Sequence, residues 1–353
     1  MHFLRRTRAD AASQPRSRAL LPTLGAGLAL LLASGLPAAP VGPPPASLPE
    51  RSESVTPGTD GHVYITNQLD NTVSVIDART NKVAATVPVG TGPEGIAVAK
   101  DGRHAYIADN GSAEVSVLDT RTNKIVATVP VGKGPSGVDL SPDGRFLYIA
   151  NGESNNVSVL DTRTNRVTAS VPVGVSPVSV AISRDGATAY VANTGSDSVS
   201  VIDTQTHRAT RVLPAGRTPV SVAVTPDGGS AYVANEEAAS VSVIETRTGK
   251  ITATVPVGDG CFDVALGPDG RTAYAAVLGP GKISVIDTRS HRVSATMSVG
   301  PPGTDPFNLA VTSSAVYVTE QGAGTLTVID PKTHKVVATI TVGNSPYGVA
   351  VSP

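Results

Sequence analysis

The sequence predicts an all-β fold, a seven-bladed β-propeller of four-stranded antiparallel blades, and three observations predict it. First, tyrosine recurs at Tyr64, Tyr106, Tyr148, Tyr190, Tyr232, Tyr274 and Tyr317, with five spacings of 42 residues and a last one of 43. Seven copies at that period read as seven stacked supersecondary units. Second, each unit holds four short runs that alternate with period two, as in PVSVAVT (219–225), SAYVAN (230–235), SVSVIE (240–245) and KITATVPVG (250–258). Alternation of this kind belongs to strands. Third, tryptophan is absent and only 3% of residues are aromatic, while Val, Ala, Ser, Thr, Gly and Pro dominate, a balance that favours short strands and tight turns.

The chain divides into three parts. In residues 1–36, Arg5, Arg6, Arg8, Arg16 and Arg18 precede an apolar run from Ala19 to Leu36, followed by small residues, which reads as an export signal. Residues 37–60 form a Pro-rich extended linker. The propeller fills 61–353. The expected location is therefore the periplasm, the cell surface or the extracellular space.

Each element of a blade has its own reason. Between the first and second runs stand turns such as SPDG (141–144) and TPDG (225–228), where Pro presets φ, Asp bonds back to the backbone and Gly takes positive φ. Between the third and fourth runs stands DTRTNK (119–124), whose Asn slot is filled elsewhere by His207, Gly249, His291 and His334. All these residues tolerate the left-handed conformation, so the histidines are turn residues and not metal ligands. Pro88, Pro130, Pro172, Pro214 and Pro256 recur in the fourth run and mark it as the outer edge strand, because proline cannot donate to a ladder. The first run then lines the axis. Its large residues, such as Val220, Val222 and Val224, face one neighbouring blade, and Ser221 and Ala223 face the other. The first unit opens at HVYITN (62–67) without an inner strand, and the chain ends on an orphan one, PYGVAVSP (346–353). The C-terminal strand is expected to complete the first blade.

The stretches YITN (64–67), YVAN (190–193 and 232–235) and VSVIDT (199–204) resemble the YVTN-repeat family of seven-bladed propellers. The resemblance covers 61–353. It implies the propeller fold and an exported or surface protein, and it leaves activity open, since related propellers range from adhesive modules to lactonases.

The blade-to-blade loops and the second-to-third loops share one face, here the top; the other turns share the bottom. Eighteen basic residues and 12 acids lie at the bottom, against Lys133, Arg217 and Lys282 with 13 acids at the top, so the molecule is expected to be electrically polarised. A basic bottom could dock on an anionic envelope surface, although charged hairpin tips also keep a monomer soluble. Nucleic acid is disfavoured, because the basic residues are not interleaved with aromatic ones. GTGPEG (90–95) and GKGPSG (132–137) match a dinucleotide fingerprint in letters only, since they link strands and open no helix. No zinc or calcium motif occurs, so no metal or cofactor is assigned. The asparagines Asn67, Asn151, Asn193 and Asn235 are expected to bond their own loop backbone.

Departures from repetition are the better guide to a site. In the sixth unit Cys261 replaces the recurrent proline and is followed by Phe262 and Asp263; in the seventh, an insertion containing Asp305 precedes Phe307 and Asn308. The C-terminal counterpart is Tyr347. The three aromatic residues hold one slot in adjacent blades and are expected side by side near the axis, with Asp263 and Asn308 beside them. These seven residues form the candidate ligand site. Cys261, with no histidine in any top loop, is expected to be inert. Asp139, an acid on the small face of an inner strand, reads as a hydrogen-bonding neighbour. The function expected is a non-catalytic binding or scaffold module for a protein, an envelope polymer or a small ligand, the alternative being a lactonase-like hydrolase or lyase using top-face carboxylates, with or without a metal.

Overall fold

The last strand, Pro346–Val351, pairs antiparallel with the first, His62–Asn67, matching Val63 to Val351 and Ile65 to Val349. The computed structural model describes residues 61–353; the signal and linker expected over 1–60 lie outside the described residues. There are seven four-stranded sheets, and in one of them the C-terminal strand is innermost. Blade 1 therefore runs Pro346–Val351, His62–Asn67, Thr72–Asp77, Lys82–Pro88 from the axis outward. The inner strands of blades 2 to 7 are Pro93–Val98, Pro135–Leu140, Pro177–Ile182, Pro219–Val224, Cys261–Leu266 and Pro306–Val311. Among the described residues the one helical segment is a 3-10 turn at Thr194–Ser196.

The turns follow their chemistry. Asp143 Oδ1 accepts the Arg145 N–H at 3.0 Å, and Gly144 beside it takes φ 69°. At the bottom turns His207, His291 and His334 adopt φ 51°, 53° and 57°, as the left-handed slot requires. Two of them do more than turn: His207 Nδ1 meets the Tyr148 hydroxyl at 2.9 Å and His291 Nδ1 meets that of Tyr232 at 3.0 Å, each tying a blade to the one before.

Burial explains why the repeat is held so closely. Seven apolar clusters each span one blade interface; in one, Tyr232, Val241 and Val243 of blade 5 pack on Val264, Ala273, Ala275 and Ile286 of blade 6. Large residues of one sheet meet small ones of the next, which close face-to-face packing needs. The outer strands are mostly exposed and bury one side chain fully, such as Val255 in Lys250–Pro256, with the half-buried Ala253 beside it. A register shift in each of them bends the free edge.

The repeated asparagines are buried, but not chiefly on their own loop. Asn67, Asn151, Asn193 and Asn235 donate Nδ2 to Ser74, Ser158, Ser200 and Ser242 across the sheet, each at 2.9 Å. Oδ1 of Asn67 and Asn235 accepts the N–H of Gly343 and Gly216, in the loop that enters the same blade, at 3.0 Å. A side chain that both donates and accepts suits this junction.

Candidate functional site

An inner strand pairs on one side only, so its other edge turns unpaired N–H and C=O groups toward the axis. Side chains of the adjacent blade satisfy part of that edge. Asp139 Oδ2 accepts the Ile182 N–H of blade 4 at 2.8 Å, and Asp263 Oδ2 accepts the Leu309 N–H of blade 7 at 2.8 Å. The second oxygen of Asp263 takes the Ser221 hydroxyl at 2.5 Å and the Val264 N–H at 2.9 Å. Burial raises both carboxyls to about 6, and these hydrogen bonds offset part of the rise. Both aspartates are struts between blades, with their oxygens committed to the fold.

The mouth of the channel is a ring of one side chain per blade, the second residue of each inner strand. Starting at blade 1 it reads Tyr347, Glu94, Ser136, Val178, Val220, Phe262, Phe307. The aromatic members meet as expected: Phe262 and Phe307 lie 3.9 Å apart between centroids at 33°, and Phe307 and Tyr347 lie 4.6 Å apart at 62°. Phe307 is wedged between the other two and is buried, while Phe262 and Tyr347 are half-buried. Glu94 continues the arc, accepting the Gln68 amide at 3.1 Å within polar reach of the Ser136 and Tyr347 hydroxyls. Burial pushes the Glu94 carboxyl above its ordinary range, and burial beside this acid pushes the Tyr347 phenol strongly up.

Two threonines hold this arc. Thr66 Oγ1 accepts the Gly348 N–H at 2.8 Å and donates to the Glu94 carbonyl at 2.6 Å. Thr319 Oγ1 accepts the Asn308 N–H at 3.0 Å and donates to the Tyr347 carbonyl at 2.7 Å. The other five blades carry alanine at this position, at Ala108, Ala150, Ala192, Ala234 and Ala276. Thr66, Thr319 and Gln68 are neither acids nor aromatics, and in the sequence Glu94 stands as one of many acids of the top face. The alanine-to-threonine change in the first and last copies was the signal that could have found the threonines.

The other candidates are placed differently. Cys261 is fully buried in the cluster between blades 5 and 6, where burial and the neighbouring Asp263 push its thiol to about 12, and it presents no exposed surface at the mouth. Asp305 turns the inserted loop at φ 52° and accepts the Gly279 N–H at 3.2 Å. Asn308 lines the mouth together with Phe262, Asp263 and Tyr347 around a cavity of about 60 Å³. The channel is tight because Gly95, Gly137 and Gly348 lie against carbonyls of the next inner strand; a Cβ on Gly137 would stand 2.6 Å from the Val178 oxygen.

Larger clefts open at the bottom, between neighbouring hairpin tips. That between blades 2 and 3 measures about 480 Å³ and is lined by Lys100, His104, Arg145 and Arg163 with Asp101 and Asp143; that between blades 3 and 4 measures about 420 Å³. Arg145 lies over the Phe146 ring at 4.9 Å and pairs with Asp161 at 3.7 Å. Among the described residues no group of three or more His, Cys, Asp and Glu is arranged to hold a metal ion.

Comparison with known proteins agrees with this architecture. A family model described as YNCE-like beta-propeller matches residues 54–142, and one described as Cytochrome D1 heme domain matches 135–228. The fold is similar to that of hydrazine synthase from Kuenenia stuttgartiensis, with a TM-score of 0.68 and 24% identity over 74% of this chain and 90% of that one. It is similar to a functionally unknown protein from Desulfotomaculum acetoxidans, with a TM-score of 0.72 and 17% identity over 82% of this chain and 98% of that one. A dihydro-heme d1 dehydrogenase, NirN, solved in complex with DHE, gives a TM-score of 0.61 and 17% identity over 87% of this chain and 78% of that one. At these identities the likeness is one of fold. A PE-PGRS family protein of Mycobacterium tuberculosis is 52% identical over 46 residues, which span 13% of this chain and only 10% of that protein.

Proposed function

We propose that this chain is an exported, non-catalytic binding module that grips its ligand at the top mouth of the propeller. One observation carries the reading: in a ring repeated seven times, a single arc departs from the small and aliphatic members, and it holds Phe262, Phe307, Tyr347 and Glu94. Repeated residues serve the blade, whereas an arc of unrepeated ones has a local task. Apolar walls with a few polar groups are the composition of a ligand site. The mouth cavity, about 60 Å³, is far below the roughly 300–1,000 Å³ of an enclosing pocket, so it admits a tip while the body of the ligand rests on the loops. Leu69, 73% exposed, and Val175, 51% exposed, offer apolar contact there. Export rests on the arginine-rich start and the apolar run of residues 19–36. The basic bottom, with Lys100 and Arg163 in the cleft between blades 2 and 3, is the side on which we place contact with an anionic envelope surface.

The resemblance to heme d1 domains raises a tetrapyrrole as a candidate group, and the channel does not fit one. Its mouth is too small, and no histidine, methionine or cysteine is among the residues lining it.

Photo-crosslinking tests the assignment. A benzophenone amino acid in place of Leu69 should trap the ligand in the native host, one in place of Arg121 at the bottom should not, and Phe262→Ala should abolish the Leu69 adduct. Adducts at Arg121 alone, or a Leu69 adduct indifferent to Phe262→Ala, would contradict the reading.

A further inference from the structure

The chemistry of the mouth specifies what kind of tip it takes. Glu94 is half-buried beside the mouth cavity, which its neighbours Gly95, Ser136 and Tyr347 line, and no lysine or arginine among the described residues pairs with it. Its nearest polar neighbours, Gln68, Ser136 and Tyr347, are neutral. Burial therefore holds a carboxylate in surroundings that lack a counter-charge, and a cation supplied from outside would relieve that cost. The rest of the arc suits a cation as well. Phe262, Phe307 and Tyr347 gather their rings in one sector, and aromatic faces attract cations within about 6 Å. The same rings offer apolar cover to a methylene chain. The space is narrow, so a compact ammonium enters more readily than a planar guanidinium. Around it Asp70, Glu153, Asp197, Glu237 and Asp259 stand exposed in the top loops, against three basic residues on that face, a field that draws cations to the mouth.

We propose that the top mouth takes a primary ammonium on an unbranched alkyl stem, with Glu94 as its counter-ion and the rings of Phe262 and Tyr347, braced by Phe307 between them, beside the stem. The chemistry is that of a lysine tip on a partner protein or of a free alkylamine. This rests on the reading of the top mouth as the binding site and names the chemical class of its ligand.

The test is saturation-transfer NMR on the mature full-length chain at neutral pH, with n-butylammonium and the neutral n-butanol as probes. The ammonium should bind about tenfold more tightly than the alcohol. Glu94→Gln should bring the ammonium down to the level of the alcohol. Phe262→Leu, which keeps an apolar side chain but removes the ring, should weaken the ammonium about threefold and the alcohol by less; it also guards against a Glu94 variant that fails to fold. A lysine-containing peptide that displaces butylammonium assigns the tip to a protein partner, and a peptide that does not assigns it to a free amine. Equal binding of the two probes overturns the cation proposal and leaves the top-mouth reading standing. Binding of neither probe overturns the cation proposal too, and the Leu69 crosslink then decides the broader reading separately.

Discussion

The Thr319 hydroxyl donates to the Tyr347 carbonyl at 2.7 Å, across the boundary where blade 7 meets the C-terminal strand of blade 1. Thr66 does the same one blade on, joining Gly348 to Glu94. The strand that closes the ring is thus pinned from both sides at the mouth. Thr319→Val keeps the shape, removes the hydroxyl and leaves two buried backbone groups without it, at a cost of about 1–3 kcal/mol. Urea denaturation should show that loss; a change below about 0.5 kcal/mol would mean that packing alone holds the arc.

Deletion of residues 346–353 removes the whole inner strand of blade 1, including its ladder to Val63, Tyr64 and Ile65. It also uncovers the cluster between blades 7 and 1, to which Val349 and Val351 belong. Several half-buried side chains and a strand ladder together approach the roughly 5–15 kcal/mol stability of a typical domain. The truncated chain should lose its cooperative thermal transition. A sharp melt near that of the intact protein would disprove closure by this strand.

Asp109 occupies in blade 2 the slot that asparagine holds in four others. There it accepts the Ser116 hydroxyl at 2.6 Å, and its Oδ1 has no hydrogen-bond partner among the described residues. Burial, with a smaller push from the Glu114 charge, raises its carboxyl from 3.8 to about 7. Between these values the folded protein holds a proton that the unfolded chain has released, so the stability this residue contributes is present at low pH and lost as pH rises toward 7. Asp109→Asn should remove that loss. The stability difference between variant and parent, followed by denaturant melts, should grow in favour of the variant from about pH 4 to 7; a flat difference would show that Asp109 is not buried as an acid.

Much of this was legible in sequence, for physical reasons. The 42-residue period, the turn chemistry, the edge prolines and the orphan last strand each carry backbone constraints that few residues satisfy. The adjacency of Phe262, Phe307 and Tyr347 followed from one shared offset. What offsets do not give is the direction of a polar group. Asp263 follows Phe262 directly and lines the same small cavity, but its carboxylate oxygens are taken by Ser221, Val264 and Leu309. Glu94 looked like one more top-loop acid. Its role appears only when blade 2 is seen beside Tyr347, 253 positions away in the chain and adjacent in the ring.

Cys261 offers a simple check on packing. Fully buried, with its thiol pushed to about 12, it should resist a thiol reagent at neutral pH in the folded protein and react fully in guanidinium. Fast labelling of native protein would place the start of blade 6 in a looser state than this structure shows.

If the irregular arc of the ring serves binding and not the blade, making that arc regular should cost the ligand and spare the fold. Glu94→Val with Phe262→Val copies the Val178 and Val220 members that other blades already carry. Thermal melting and the Leu69 crosslink are then measured on the same protein. The account predicts a cooperative melt within a few degrees of the parent and loss of the ligand adduct. An adduct that persists in the regularised protein would contradict it, and so would a variant that cannot fold, because the arc would then be part of the core.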